Sequence, residues 1–487
     1  MLSDVLLHGG LALDLVGLVV RIAALLWVPV NRRPSSAMAW LLAIFLIPYV
    51  GVVVFLLIGN PKLPRHRREQ QRRINTMIAA AAKDAPAVEL EPSQQWLAPI
   101  VQLNQELGSL PLSAGNAATL IEDYDDALRQ MTEAVGGARD FVFCEFYILA
   151  ADPATEPFLD ALGAAVERGV EVYVLFDHIG SRRVPRYRAT KKKLDALGVK
   201  WRPMLPVMPL RGRYQRPDLR NHRKILVVDG EVGFTGSQNL IDRSYNKPAN
   251  RRRGLKWQEL LTRVEGPVVQ SLAAVFITDW YGETGDLLFD ADAEPVPAPA
   301  RVAGELRCQV VPSGPGFDND NNLKLFTSLL YQAQRRISLT SPYFVPDESL
   351  MAAITTAAER GVAVELFVSE IGDQALVYHA QRSYYEELLR AGVRIYLYPA
   401  PYILHAKHFT IDDELAVIGS SNMDIRSFRL NLEVVLMVVG RGYARAMRDV
   451  EDHYRAISRE LTLAEHLDQR LPTRLLDNLA RLTSALQ

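Results

Sequence analysis

Residues 221–239 read NHRKILVVDGEVGFTGSQN, and residues 404–422 repeat the pattern as LHAKHFTIDDELAVIGSSN. Each copy has a histidine, a lysine two positions later, an aspartate five positions after that, and then Gly-Ser-x-Asn. Matched positions at identical spacing indicate an internal duplication, whereas a single His-x-Lys would carry little information. The matched residues are His222, Lys224, Asp229, Ser237 and Asn239 in the first copy and His405, Lys407, Asp412, Ser420 and Asn422 in the second.

The duplication extends upstream of the two motifs. Residues 156–177 and 348–370 each begin with an apolar helical stripe, which ends at a glycine and is followed by an alternating strand. Another apolar strand precedes each helix, at 141–148 and 337–344. Each half is therefore predicted as strand, helix, strand and His-Lys hairpin, which is an α/β pattern. Two such halves can pack as a pseudo-twofold pair, so that the two motifs meet.

The first motif contains a hairpin signal, because Asp229 and Gly230 supply the positive φ values of a tight turn between two apolar strands. His222 and Lys224 share one face of the strand, since side chains alternate. Asp229 is an odd number of residues from both and is expected in the turn, as a brace rather than at the reacting atom. The same holds for Asp412.

Two facing histidines suggest acid–base and nucleophilic chemistry, because a neutral imidazole is a nucleophile and its conjugate acid a proton donor near pH 7. The two lysines and the two Gly-Ser-x-Asn loops add cations and hydrogen-bond donors, which suit a phosphoryl group. A metal site is the alternative reading of paired histidines. It is disfavoured because lysine is no usual ligand and no carboxylate or thiol cluster accompanies the motifs.

An apolar strand with one glutamate follows each motif, with Glu259 in the first half and Glu433 in the second. Such a carboxylate would orient an imidazole and stabilise its cation, although a solvated strand residue is the alternative. The spacing from His405 to Glu433 is 28 residues and that from His222 to Glu259 is 37, which points to an insertion at 246–254.

The chain has 487 residues and a formal charge of -1, so two domains or a duplicated unit are expected. Residues 182–224 hold 15 lysines and arginines against two aspartates, which indicates an anionic partner or a solvated face. Cys144 and Cys308 are too few for a disulfide framework, which favours a reducing compartment.

The amino-terminal residues predict a membrane anchor. Residues 37–58 carry no charge and are predicted as one transmembrane helix. Residues 5–30 are also apolar but contain Asp14 and Arg21, which share one helix face, so a second span is less certain. A run of basic residues follows and predicts that the rest of the chain is cytoplasmic by the positive-inside rule. These residues are Lys62, Arg65, Arg67, Arg68, Arg72 and Arg73.

The predicted division is a membrane anchor with a basic juxtamembrane segment at 1–74, a connector at 75–115, a first half at 116–290 and a second half with a carboxyl-terminal helix at 291–487. An acidic, proline-rich linker at 282–304 marks the boundary between the halves. The tail, 461–487, has leucines at helical spacing and would lie either on a bilayer or on the body.

The two motifs resemble the phospholipase D superfamily. Within it, FDHIGS at 176–181, VPSGP at 311–315 and NMDIRS at 422–427 are similar to bacterial cardiolipin synthases. The resemblance implies a duplicated phospholipase D-like fold, two-lobed and pseudo-twofold, preceded by one or two transmembrane helices. It implies a multi-pass protein of the cell (inner, cytoplasmic) membrane with a cytoplasmic catalytic body.

The resemblance also implies transphosphatidylation between two phosphatidylglycerol molecules, giving cardiolipin and glycerol without a cofactor or added metal. His222 would then be the nucleophile and His405 the acid and base, with Lys224, Lys407, Asn239 and Asn422 on phosphate oxygens. Phosphatidylglycerol and anionic membrane lipids are the expected partners, nucleic acid is not, and a homo-oligomer is left open. Alternatives are another phosphatidyl transfer or hydrolysis, a nuclease, and a non-catalytic scaffold.

Overall fold

The computed structural model describes residues 2–30, 32–60, 62–82, 88–208, 213–288 and 304–484. The chain divides into two compact units, an amino-terminal unit, Met1–Lys62, and a body, Leu63–Gln487.

The amino-terminal unit is helical, with a small apolar contact among its helices. Buried side chains at this contact include Ala24, Ile44 and Phe55. The helices are α1 (Leu2–Trp27), α2 (Pro34–Leu46) and α3 (Pro48–Ile58).

The prediction of one continuous helix over 37–58 is wrong. The backbone leaves helical geometry at Ile47, with φ −135° and ψ 76°, and a new helix begins at Pro48. Proline disfavours the helical conformation of the residue before it and has no N–H to donate to the preceding turn. Within the described residues, no helix combines the length and the apolar character that crossing a bilayer requires.

The body begins with connecting helices and continues with two series of strands and helices. The connecting elements are α4 (Arg65–Ala82), a 3₁₀ helix (Pro92–Leu97) and α5 (Ala98–Gly108). The first half contains β1 (Ser113–Ile121), α6 (Tyr124–Gly136), β2 (Phe141–Phe146), α7 (Glu156–Glu167), β3 (Glu171–Asp177), α8 (His178–Arg182), α9 (Tyr187–Ala196), β4 (Lys200–Met204), β5 (Val207–Met208), β6 (Arg213–Tyr214), β7 (Arg220–Asn221), β8 (Lys224–Val228), β9 (Val232–Gly236), α10 (Pro248–Arg252), β10 (Lys256–Gln258), β11 (Leu261–Glu265) and α11 (Val268–Thr284).

The second half repeats the series. It contains β12 (Leu306–Ser313), α12 (Asn321–Gln332), β13 (Arg336–Thr340), β14 (Phe344–Val345), α13 (Glu348–Glu359), β15 (Ala363–Ser369), α14 (Ala375–Arg382), α15 (Tyr385–Arg390), β16 (Arg394–Tyr398), β17 (Tyr402–Leu404), β18 (His408–Ile411), β19 (Leu415–Gly419), β20 (Met423–Asp424), α16 (Ile425–Arg429), β21 (Asn431–Val439), α17 (Arg441–Ile457), β22 (Arg459–Leu461), α18 (Leu463–Leu467) and α19 (Leu471–Arg481).

Both halves contribute to one sheet, which has 16 strands within the described residues. From its centre the order is β12-β21-β19-β18-β13-β15-β16 on one side and β1-β11-β9-β8-β2-β3-β4 on the other. The same order in both directions confirms the predicted duplication and the mixed α/β class. The equivalent first strands, β1 and β12, pair antiparallel at the centre, which is the relation that a local twofold axis requires.

Each half packs helices against its share of the sheet. The helix α7 joins the parallel strands β2 and β3 and buries Phe158, Leu159 and Leu162, members of the predicted stripe. In the second half α13 joins β13 and β15 in the same way. The predicted linker at 282–304 begins within α11, and residues 289–303 lie outside the described part of the chain.

Candidate active site

Two short strands cross between the halves and lead to the two motif histidines. The strand β7 of the first half pairs with β21 of the second, and β17 of the second half pairs with β10 of the first. The backbone N–H of His222 donates to the carbonyl of Leu432 at 2.8 Å, and that of His405 donates to Gln258 at 2.7 Å. Each histidine therefore lies beside the residue that precedes the glutamate of the other half.

The two carboxylates consequently pair crosswise with the histidines. His405 Nδ1 lies 2.8 and 2.9 Å from the two carboxylate oxygens of Glu259. His222 Nδ1 lies 3.0 Å from both the Ser420 carbonyl oxygen and Glu433 Oε2. A carbonyl oxygen can only accept, so His222 carries its proton on Nδ1 and leaves the lone pair of Nε2 available.

The same tautomer follows for His405. Burial alone would raise the pKa of Glu259, but the nearby His405 and Lys407 hold it below its ordinary value. An ionised carboxylate accepts the Nδ1 proton, which leaves Nε2 of His405 available as well. Glu433 differs, because burial raises its pKa to about 7. The two histidines thus have chemically unequal partners.

Burial favours the neutral form of both imidazoles. It lowers the pKa of His405 and places that of His222 well below the usual value, and the charges of Lys224 and Lys407 lower the His222 value further. His222 also contacts Ser420 and Glu433 of the second half directly, so the two motifs belong to one site.

The two lysines are buried and share the site. Each ammonium donates to the backbone carbonyl of its own histidine, at 2.5 Å for Lys224 and 2.6 Å for Lys407. Lys407 Nζ also lies 3.2 Å from both ring nitrogens of His405. Burial lowers the pKa of Lys224 to about 7 and that of Lys407 to about 8. An anion in the site would raise both values and secure the positive charges.

The motif aspartates lie at the far ends of the hairpins and are not brought to the histidines. Asp229 has φ 52° and accepts the backbone N–H groups of residues 139–141 at 2.9 Å. Asp412 has φ 53° and accepts those of residues 334–336 at 2.7 to 2.8 Å. Both carboxylates tie a hairpin turn to the start of the adjacent strand, β2 or β13.

The serines of the two loops bind the strands that carry the glutamates, and Ser420 also binds its glutamate directly. Ser420 Oγ donates to Glu433 Oε2 at 2.5 Å, and its Oγ accepts the N–H of Val434 at 2.9 Å. Ser237 Oγ makes the corresponding backbone contacts with Leu260, at 2.9 and 3.1 Å.

The two loop asparagines differ in their contacts. Asn239 accepts the N–H of Ile148 at 3.0 Å and donates to the Tyr245 hydroxyl at 2.9 Å, so it already holds two partners. Asn422 donates to Asp424 at 3.1 Å, while its buried Oδ1 has no recorded partner. A phosphate oxygen can only accept, so each asparagine could bind one only through the second hydrogen of its amide nitrogen.

Sequence reasoning missed two tyrosines at the site. The Tyr245 hydroxyl donates to Glu259 Oε1 at 3.2 Å and so links Asn239 to the carboxylate of His405. The ring of Tyr147 lies edge-on to His222 with centroids 4.9 Å apart, and Lys224 Nζ lies 5.5 Å from its centre. Tyr245 lies six residues after Asn239, and the second half has Phe428 six residues after Asn422, so the repeat did not mark the hydroxyl as functional.

The site's chemistry rests on imidazole, ammonium and carboxylate groups. Within the described residues, no group of three or more histidine, cysteine, aspartate or glutamate side chains has the arrangement of a metal site. Two imidazoles with available Nε2 atoms, two ammonium groups and two carboxylates can together bind an anionic ester, attack it and exchange a proton with the leaving group.

The duplicated sheet and the two-histidine site define a phospholipase D-like protein with both halves of its site in one chain. The family model described as cardiolipin synthase, PLD-like domain, matches residues 129–280 and 326–457, and that described as phospholipase D-nuclease N-terminal matches residues 17–60. The chain belongs to the family of phospholipase D-like cardiolipin synthases.

Curated relatives cover nearly the whole chain. Cardiolipin synthase A of Proteus mirabilis (strain HI4320) is 32% identical over 461 residues, which is 94% of each chain. Cardiolipin synthase A of Escherichia coli O1:K1 / APEC is 32% identical over 454 residues, 91% of this chain and 92% of that one. The solved phosphatidylserine synthase of Haemophilus influenzae Rd KW20 aligns with a TM-score of 0.59 at 16% identity, covering 80% of this chain and all of that one, and shares the fold.

Proposed function

We propose that this protein is a phosphatidyltransferase that converts two phosphatidylglycerol molecules into cardiolipin and glycerol. The observation that carries the proposal is the crosswise pairing of His222 with Glu433 and of His405 with Glu259, beside two buried lysines. That arrangement presents two imidazoles with different partners to one anionic group. The similarity to cardiolipin synthases over almost the whole chain supports the same reaction.

In the first step, Nε2 of His222 attacks the phosphorus of the donor lipid. The bond from phosphorus to the headgroup glycerol breaks, and His405 gives its Nε2 proton to the departing oxygen. The result is a phosphatidyl group on His222 and free glycerol. In the second step, His405 takes the proton of the acceptor's glycerol hydroxyl, the oxygen attacks phosphorus, and the P–N bond breaks. Two phosphatidylglycerols thus give one cardiolipin and one glycerol.

The unequal carboxylates support this division of roles. An ionised Glu259 beside His405 stabilises an imidazolium, which is the form that a general acid must reach. A bound phosphodiester anion offsets the burial that otherwise favours neutral His405. Lys224 and Lys407 neutralise the phosphate oxygens as charge develops, Asn422 donates to them, and Asp229 and Asp412 brace the two hairpins.

We further propose that the amino-terminal unit holds the enzyme on the inner (cytoplasmic) membrane and that the body is cytoplasmic. Large apolar side chains point outward on all three helices of that unit, and basic residues follow it at 62–73. The boundaries 1–74, 75–115, 116–290 and 291–487 belong to this proposal. The most exposed of the apolar side chains are Leu15, Val19, Leu26, Trp27, Met38, Leu42, Leu46, Val50 and Leu56.

The test gives the purified full chain phosphatidylglycerol in neutral detergent with a chelator, and identifies products by mass spectrometry. We expect cardiolipin and glycerol in equal amounts. If phosphatidic acid is the only lipid product, the protein is a hydrolase and the proposed transferase activity is wrong. Cleavage of duplex DNA without lipid turnover would favour a nuclease.

Two variants test the roles of the histidines. We expect H222A and H405A each to lose transfer, since neither imidazole can act both as nucleophile and as acid and base. After an acid quench, a phosphatidyl adduct should be found only in protein that retains His222. An adduct on His405 in H222A would reverse the assignment.

A further inference from the structure

The last helix of the body, α19, exposes a row of leucines. These are Leu471, Leu475, Leu476, Leu479 and Leu482, whose exposed fractions are 67%, 54%, 47%, 62% and 80%. We call this set the leucine face. Ordinary protein surfaces expose apolar residues singly, whereas these leucines form one patch on one helix. Such a patch indicates a surface that contacts a membrane or another molecule.

The leucine face is the outer side of a docked helix. Asp477, on the opposite side of α19, is buried and binds His379 Nδ1 at 2.6 Å and Arg382 Nε at 3.2 Å, both on α14. Arg382 also donates to Gln469 at 2.5 Å. These contacts hold the polar side of α19 against the body, so the leucines point outward because the helix is bound, not because it is loose.

The helix α14, which holds α19, also exposes a leucine and follows a loop that reaches the active site. Leu376 on α14 is 50% exposed. The loop before α14 carries Asp373, whose carboxylate accepts the Tyr343 hydroxyl at 3.1 Å. The ring of Tyr343 lies 6.2 Å from that of His405. The leucine face is therefore connected to the site through one helix and one loop.

A basic segment adjoins the same loop from the first half. It consists of the exposed residues Lys247, Arg251, Arg252 and Arg253 on and beside α10. Arg253 donates to the carbonyl of Gly372 at 3.5 Å, next to Asp373. Within the described residues, none of the four has a carboxylate within ion-pair distance.

We propose that the leucine face, Leu376 and the basic segment form one surface that lies on an anionic lipid bilayer and sets the mouth of the active site against it. Apolar side chains enter the acyl region while neighbouring cations meet anionic headgroups, as in interfacial helices. Arg474 and Arg481 on α19 are paired with Glu386 and Glu387, so the positive charge of this surface comes from the basic segment. The inference rests on the proposed function only in that the substrate is a bilayer lipid.

The bilayer is favoured over a second copy of the chain because the exposed basic segment contacts the loop that leads into α14, the helix that holds α19. Anionic headgroups would neutralise this segment while the leucines enter the acyl region, whereas joining two leucine faces would leave the basic segments without anionic partners.

The test uses environment-sensitive fluorophores on single introduced cysteines of the full chain. Cys144 and Cys308 are buried and stay unlabelled. Labels at L475C and L479C report on the leucine face. The matched controls are labels at I457C on α17 and Y331C on α12, where the native side chains are 41% and 42% exposed. The protein is mixed with vesicles that contain about one third phosphatidylglycerol and lipids with quenchers on their acyl chains.

We expect quenching at L475C and L479C, at least about tenfold stronger than at the controls, and a loss of most of it in the R251Q/R252Q/R253Q variant. The charge control is R441Q/R445Q on α17, which should behave as the parent. Equal quenching at all four sites, or none while the protein remains lipid-bound, overturns the inference. Energy transfer between labelled copies without quenching assigns the face to self-association and also overturns it.

The readout needs no turnover, so the two proposals fail separately. Quenching at the leucine face in a protein that makes no cardiolipin would leave the docking surface and reject the proposed reaction. Cardiolipin formation without quenching would reject the docking surface alone.

Discussion

At the scale of single residues, each histidine of the site is oriented by a carboxylate, and each carboxylate has its own support. Glu433 is supported by Ser420 and by Asn431, whose amide donates to it at 3.2 Å. Glu259 is supported instead by the Tyr245 hydroxyl. Groups that orient a reacting residue in this way commonly matter by 10- to 100-fold.

Tyr245→Phe removes the hydroxyl that links Asn239 to Glu259 while keeping the ring packed on Trp257, whose centroid is 4.6 Å away. We expect kcat to fall about tenfold with little change in KM, because Glu259 would orient His405 less firmly. The measurement is the steady-state rate of transfer as a function of pH. The apparent pKa assigned to His405 in this profile should shift. Tyr454→Phe is the matched control, since that buried hydroxyl has no recorded partner. Equal effects of both changes would contradict a positioning role.

The buried lysines predict the pH dependence. Burial lowers the pKa of Lys224 to about 7 and that of Lys407 to about 8, so they lose protons as pH rises through this range. We expect kcat/KM to fall as pH rises above about 7, because it reports the free enzyme, whose two lysines must both be cationic to bind the phosphodiester. Phosphate binding at that pH should be accompanied by proton uptake. The number of protons taken up is measured by calorimetry in buffers that differ in their heats of ionisation. Proton release would contradict the prediction.

At the scale of elements, the two hairpins depend on their aspartates. Each carboxylate satisfies backbone N–H groups at the start of the neighbouring strand, and both aspartates adopt a positive φ that few residues other than glycine and asparagine tolerate. The hairpin that carries Lys224 is thereby fixed at its far end, which holds the register of β8 beside β2.

Asp229→Asn keeps the shape and the tolerance of positive φ but removes the charge from hydrogen bonds to residues 139–141. We expect the free energy of unfolding to fall by about 1 to 3 kcal/mol, since bonds to charged groups contribute more than neutral ones. Transfer at low temperature should fall much less than in H222A. Urea unfolding measures the change in stability, and product formation measures the change in transfer. Glu231→Gln, at an exposed residue of the same turn, is the control. Loss of activity without loss of stability would instead indicate a direct role of Asp229.

At the scale of the whole molecule, the body is one sheet through which both halves build one site. The pairs β1–β12, β7–β21 and β10–β17 all cross between the halves. Neither half has a complete arrangement of histidine and carboxylate, because each imidazole takes its carboxylate from the other.

This arrangement predicts cooperative unfolding of the body. We expect one thermal transition for residues 63–487, raised as a unit by inorganic phosphate bound at the shared site. Scanning calorimetry of the full chain in detergent measures it, and Lys407→Ala, which removes one of the cations that would bind the anion, should abolish the shift. Two transitions, with phosphate raising only one, would contradict a site built from both halves.

The sequence by itself determined the duplication, the α/β class, the hairpins and the common face of His222 and Lys224. These follow from spacing and strand alternation, which are local properties that a repeat makes visible. It also contained the break in the segment 37–58, because Pro48 disfavours a helical residue before it, yet the uncharged length of that segment favoured a single helix.

Only the tertiary structure decided which carboxylate serves which histidine. His222 and Glu433 lie 211 residues apart, and His405 and Glu259 lie 146 apart. The pairing depends on two short strands that cross between the halves, and no local period in the sequence records such an exchange. Tyr245 was hidden for the same reason, since its partners Asn239 and Glu259 are brought together by a fold, not by a spacing.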